Sequence, residues 1–189
     1  TNGQAPFLTV FMYLNEAKNE KEKGRIKIRV MDNICFCSFR EMIDRTLDIL
    51  YNKEPELFNI DSSDEIEAHV GERAIVFRFG LYFQQALDEC GKFKDYNLDC
   101  EYNRNGTGPK TLPMVENRIF PDLILHQRGN NNNNLLVVEF KGWWNKNQKY
   151  DEDKIKAMIS KNGRYQYREG YTVLLGKDSG DVNQIVSEH

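Results

Sequence analysis

Nothing in this chain approaches the roughly twenty consecutive apolar residues of a membrane helix, and no signal-peptide pattern opens it. Cysteine occurs only at Cys35, Cys37, Cys90 and Cys100, with neither the framework spacing of a disulfide scaffold nor the paired Cys-x-x-Cys of a structural zinc site. Reduced thiols in a cytoplasmic protein are the expected state. Positive charge is also in deficit. The formal net charge of −3 argues against a chain that coats nucleic acid indiscriminately, although local basic contacts are compatible with it. Internal repeats are missing, and the only biased segment is a short run of asparagines.

What remains describes a globular domain. With 189 residues, 40% hydrophobic and 29% charged, the chain is long enough for one well-buried domain with a small appendage. Residues 7–14 are apolar, and Ile26, Ile28 and Val30 alternate along 25–30, so this pair reads as a hairpin, with a further strand around Ile34–Phe39. Met42, Ile43, Leu47 and Leu50 then recur at helical spacing behind Ser38, a suitable N-cap. Residues 1–60 are therefore expected to form a small α+β N-terminal extension, a scaffold or partner-binding unit, ahead of a domain over 61–189.

A connection over 52–63 leads to a helix capped by Ser62 or Ser63, running to about Glu89 and ending near Gly91. Its segment from Ala74 to Leu87 is apolar nearly all round and should be largely buried, with Gly80 marking a close approach. Glu72 begins a stripe continued by Val76, Phe79 and Phe83. A strand over Tyr96–Asn103 follows, then a polar loop in which Arg104 and Lys110 are candidate phosphate contacts. Helix Asp151–Lys161, with Ile155, Met158 and Ile159 on one face, and strand Tyr171–Leu175 precede a polar tail expected to fray or form a last helix.

The most informative stretch is 119–141. Two apolar runs of strand length flank Gln127–Asn134, a loop with five asparagines that reads as a hairpin turn. Strand alternation puts Phe120, Asp122, Ile124 and His126 on one face, and Val137, Glu139 and Lys141 on one face of the next strand. Two carboxylates and an ammonium inside apolar strands are costly unless paired or bound to metal. Trp143 and Trp144 follow, either to stack bases or to close the edge of the core. The same alternation directs His126 and Arg128 toward the acidic face, where the planar guanidinium suits a phosphate group; alternatively Arg128 simply begins the exposed loop.

Pro121-Asp122, followed after sixteen residues by Glu139-Phe140-Lys141, resembles the PD-(D/E)xK signature of the restriction-endonuclease-like nucleases. Glu16-Ala17-Lys18 and Glu152-Asp153-Lys154 repeat the Glu-x-Lys spacing, but only the Glu139 copy ends an apolar strand behind the chain's single Pro-Asp. Residues 64–176 read helix, three strands, helix, strand, the order of that family's αβββαβ core. The resemblance implies an α/β fold with an α+β mixed sheet, and a Mg²⁺- or Mn²⁺-dependent hydrolase cutting phosphodiester bonds, with DNA the first expectation. It further implies that Asp122, Glu139, the Phe140 carbonyl and Glu72 hold the ion while Lys141 orients the attacking water. A homodimer is compatible with it. The other reading is a nuclease-fold module that binds nucleic acid or protein without cutting.

Overall fold

The computed structural model of the protein describes residues 38–58, 70–114, 118–145 and 148–187. The expected hairpin over 7–30, nearly all of the expected strand around 34–39, and Ser62 and Ser63 lie outside these residues. Among the described residues no helix is long and apolar enough to cross a membrane.

Helix α1, Phe39–Lys53, begins where Ser38 Oγ accepts the Glu41 N–H at 3.3 Å. Its buried stripe includes Met42, Ile43, Leu47 and Leu50, as the spacing requires. That stripe packs in one apolar core with helix α2, Glu72–Cys90, so α1 belongs to the body of the domain rather than to a separate unit over 1–60. The correction has a simple cause: an amphipathic stripe shows that a partner exists, not which one.

Helix α2 starts later than expected. Gly71 is its N-cap, in an extended conformation that no helix running on from Ser62 or Ser63 could pass through unbroken. At the other end Gly91 is left-handed at φ 70°, and its N–H donates to the Leu87 carbonyl at 3.0 Å. Gly80 does mark close packing: a Cβ there would lie 3.3 Å from Cys100 Sγ and 3.6 Å from Leu123 Cδ1. Of the segment 74–87, expected to be largely buried, Ile75, Val76, Phe79, Gly80, Phe83, Ala86 and Leu87 are buried, but Phe77 and Leu81, one turn apart, are exposed.

Seven strands follow among the described residues: β1 Asn97–Cys100, β2 Arg104–Asn105, β3 Gly108–Pro109, β4 Leu123–His126, β5 Asn134–Lys141, β6 Glu169–Leu174 and β7 Asn183–Ser187. Helix α3, Gln148–Ile159, joins β5 to β6. The main sheet has the order β1-β4-β5-β6-β7, antiparallel throughout except for the β5–β6 pair. The result is a mixed α/β fold with a mixed sheet.

Three expectations change here. The strand expected over Tyr96–Asn103 stops at Cys100, where Glu101 turns to φ 49°. The loop after it is partly a hairpin, with β2 and β3 paired around Gly106. The polar tail carries β7, an added antiparallel strand, in place of a frayed end or helix.

Period-two alternation sorts the side chains into two layers. Leu123, Leu125, Leu136, Val138 and Phe140 join the core shared with α1 and α2, whereas Ile124 and Val137 pack with Ile155, Met158 and Ile159 of α3. Gly170 lets α3 approach the sheet: a Cβ there would meet Ile155 Cγ2 at 2.5 Å and Ile159 Cγ2 at 2.8 Å. Asp122, Glu139 and Lys141 have the parity of Ile124 and Val137, so they belong to the α3 side.

Candidate active site

The acidic pair is assembled by the β4–β5 register. Leu123 lies opposite Val138, so Asp122, just before β4, falls beside Glu139 and Phe140. Asp122 Oδ2 accepts the Phe140 backbone N–H at 2.7 Å. Burial pushes its carboxyl up to about 6, against the downward pull of that N–H and of Lys154. Glu139 is only 2% exposed. Burial first, and repulsion from Asp122 second, hold its carboxyl well above the usual range, with Lys154 opposing both.

Helix α3 supplies two charges that sequence reasoning missed. Lys154 Nζ lies 2.5 Å from Glu139 Oε2, and Lys141 Nζ lies 2.7 Å from Asp151 Oδ2. Lys154 is also 3.9 Å from Asp151 Oδ1. Burial alone would lower both lysines, but Glu139 raises Lys154 and Asp151 raises Lys141. A signal was available. Asp151 and Lys154 sit four residues and one residue before Ile155, on the stripe that faces the sheet, where unpaired charge is expensive.

Glu72 approaches from the α2 side. Its Oε1 accepts the Gly142 N–H at 2.9 Å, at the end of β5, and its charge is felt at both Asp122 and Lys141. Neighbouring arginines do not claim it, since Arg73 pairs with Glu101 and Arg78 with Glu54. Gly142 is needed at this point, because a Cβ would collide with the Trp144 ring at 2.4 Å. Trp143 and Trp144 meet edge to face at 4.4 Å and pack against the α2-side core, closing its edge.

The residues fit a divalent cation on two grounds. Glu139 Oε1 is buried and accepts no hydrogen bond, and Asp122 stands beside it. Among the described residues, the carboxyl groups of Asp122, Glu139, Asp151 and Glu72 and the ammonium groups of Lys141 and Lys154 act on one another here, and a cation would favour the ionised form of the raised acids. Asp122 and Glu139 are the groups that would hold such an ion, with Glu72 nearby. Among the described residues, however, no group of three or more His, Cys, Asp or Glu side chains is preassembled for a metal. The pair offers two carboxylates, one of which already carries an ammonium on one oxygen.

The expected phosphate contacts fare differently. His126 is 2% exposed, and its Nε2 lies 2.9 Å from Asp99 Oδ2. Arg128 reaches the same carboxylate, Nε to Oδ2 at 2.8 Å and Nη2 to Oδ1. Asp99 thus occupies Arg128 from one side, yet the guanidinium stays exposed. Lys110 is no loop contact: it is 1% exposed, donates to the Arg104 carbonyl at 2.9 Å, and lies over the rings of Tyr102 and Tyr165. Burial there lowers its ammonium to about 8. The hairpin fold of 104–109 buries this lysine, which a reading of the segment as loop could not foresee. Arg104 is exposed.

The Asp99 cluster carries a pH prediction. Burial would raise the Asp99 carboxyl, but Arg128 and His126 together hold it well below the usual range. A depressed folded-state value adds stability that is fully present above the unfolded-chain value near 3.9 and is lost as pH falls through the folded one. Wild type should therefore exceed Asp99→Asn by about 1–3 kcal/mol at neutral pH, and the gap should narrow below about pH 4. Urea midpoints of both proteins between neutral and acid pH test this. A gap that widens on acidification would refute the pairing.

No protein-family model matches the chain, and no curated protein sequence matches it.

Proposed function

We propose that the protein is a metal-dependent nuclease of the PD-(D/E)xK type, hydrolysing phosphodiester bonds with DNA as the favoured substrate. The observation that carries this reading is the placement of Asp122, Glu139 and Lys141 on one sheet face, with a buried Glu139 oxygen left without a partner. The element order supports it too: α2, the antiparallel β1, β4 and β5, then α3 and the parallel β6 follow the αβββαβ sequence of a restriction-endonuclease-like core.

A bound Mg²⁺ or Mn²⁺ supplies Lewis-acid stabilisation of phosphate charge and a more acidic water. The chain's own residues divide the remaining work. Asp122 and Glu139 provide hard anionic oxygens, and the Phe140 N–H fixes the orientation of Asp122. Lys141 presents an ammonium at the end of β5, held by Asp151 until a water or phosphate oxygen competes for it. Glu72 secures the chain at Gly142 and adds negative potential. Arg128 and Arg104 are exposed cations for the nucleic-acid backbone, whereas buried His126 is paired with Asp99 and buried Lys110 takes no part.

One observation favours the second reading, a nuclease-fold module that binds without cutting. Lys154 on Glu139 and Asp151 on Lys141 satisfy the motif charges internally. Incubation with single- and double-stranded DNA and RNA, in Mg²⁺, Mn²⁺ or EDTA, separates the two. Cleavage that appears with either ion and vanishes in EDTA is expected. Retention of intact nucleic acid without cleavage, under all ions, would establish the binding module instead.

A further inference from the structure

Helix α3 meets the motif with charges in a crossed arrangement. Its acid, Asp151, takes the motif lysine at 2.7 Å, and its lysine, Lys154, takes the motif acid at 2.5 Å. The two sit three residues apart, one turn of helix, and both are buried. Surface ion pairs of this kind contribute little, but buried ones hold firmly once formed, because separating them strands a charge away from water. Glu139 keeps one oxygen free, Oε1, and gives the other to an ammonium.

We propose that Lys154 is a built-in counter-ion that competes with a divalent cation for Glu139, so that α3 holds the site in a charge-satisfied, low-affinity form until an ion displaces the ammonium. This rests on the metal-site reading above and adds to it a regulation of that site. The physics is direct. An ammonium and a divalent cation on one carboxylate repel each other in a poorly screened interior. The ammonium on Oε2 therefore weakens an ion at Oε1, and the ion in turn favours a Lys154 side chain that leaves Glu139, which its long flexible stem permits without movement of the helix. Asp151 Oδ1 lies 3.9 Å from Nζ and offers the released ammonium a second carboxylate.

Mn²⁺ binding to the full chain, measured by calorimetry without nucleic acid, tests the proposal. Lys154→Met should tighten Mn²⁺ at least about tenfold over wild type, and the neutral donor variant Lys154→Gln should tighten it too. Either variant suffices if the other fails to fold. In the wild type, Mn²⁺ should also expose Lys154 to an amine-acylating reagent, read at that residue by peptide mass spectrometry. Unchanged or weaker Mn²⁺ affinity in the folded variants, with wild type still binding, overturns the competition and leaves the metal site standing. Absence of Mn²⁺ binding in wild type and variants alike overturns both.

Discussion

Glu139→Gln is expected to lower metal-dependent cleavage by about a thousandfold or more while the fold persists. Glutamine matches the shape of the side chain but removes the anionic charge at the most buried position of the site, where Oε1 has no protein partner. Lys154 retains an amide oxygen as acceptor and Asp151 at 3.9 Å as counter-charge, so the helix should stay seated. Single-turnover cleavage rates, with circular dichroism as a check on folding, give the result. A rate within about tenfold of wild type would take Glu139 out of the chemistry.

Phe79→Ala should cost about 3–5 kcal/mol of stability, the usual price of deleting a buried aromatic side chain. Phe79 is fully buried on α2, with ring centroids 5.5 Å from Phe83 and 4.8 Å from Phe140. Against a total of roughly 5–15 kcal/mol for a domain, such a loss brings the chain close to unfolding. Phe140 links this core to the site, since its ring packs on Phe79 while its N–H holds Asp122. The urea midpoint should therefore drop with the slope unchanged. A loss below about 1 kcal/mol would mean that the void collapses, and that α2 does not brace β5 as the packing implies.

The parts of the fold that could be read in the sequence are those governed by short-range periodicity. The α1 stripe and its Ser38 cap, the Gly91 stop, the hairpin over 119–141 and the shared parity of Asp122, Glu139 and Lys141 all follow from spacings of two or 3.6 residues. What escaped depends on which distant surface an element meets. Lys110 looks like a loop cation until Tyr165, more than fifty residues later, closes over it. Asp151 and Lys154 look like ordinary charges on a helix until the β5–β6 crossover lays α3 against Glu139 and Lys141. Phe77 and Leu81 read as core because composition alone does not reveal where a helix lacks a neighbour. Strand β7 was invisible in a polar segment, since an edge strand needs only backbone partners.

Strand β5 is hydrogen-bonded on both sides, to β4 and β6, and every residue from Asn134 to Phe140 is buried. Its amides should therefore be the slowest in the domain to exchange with deuterated solvent, opening only when the whole structure opens, whereas β1, with a partner on one side alone among the described residues, frays locally. Glu139 and Lys141 are built into the part of the chain expected to unfold last. A ligand gripping Glu139 would thus slow exchange throughout the core rather than merely around the site, and the domain's slowest protons become a gauge of occupancy at its most buried carboxylate.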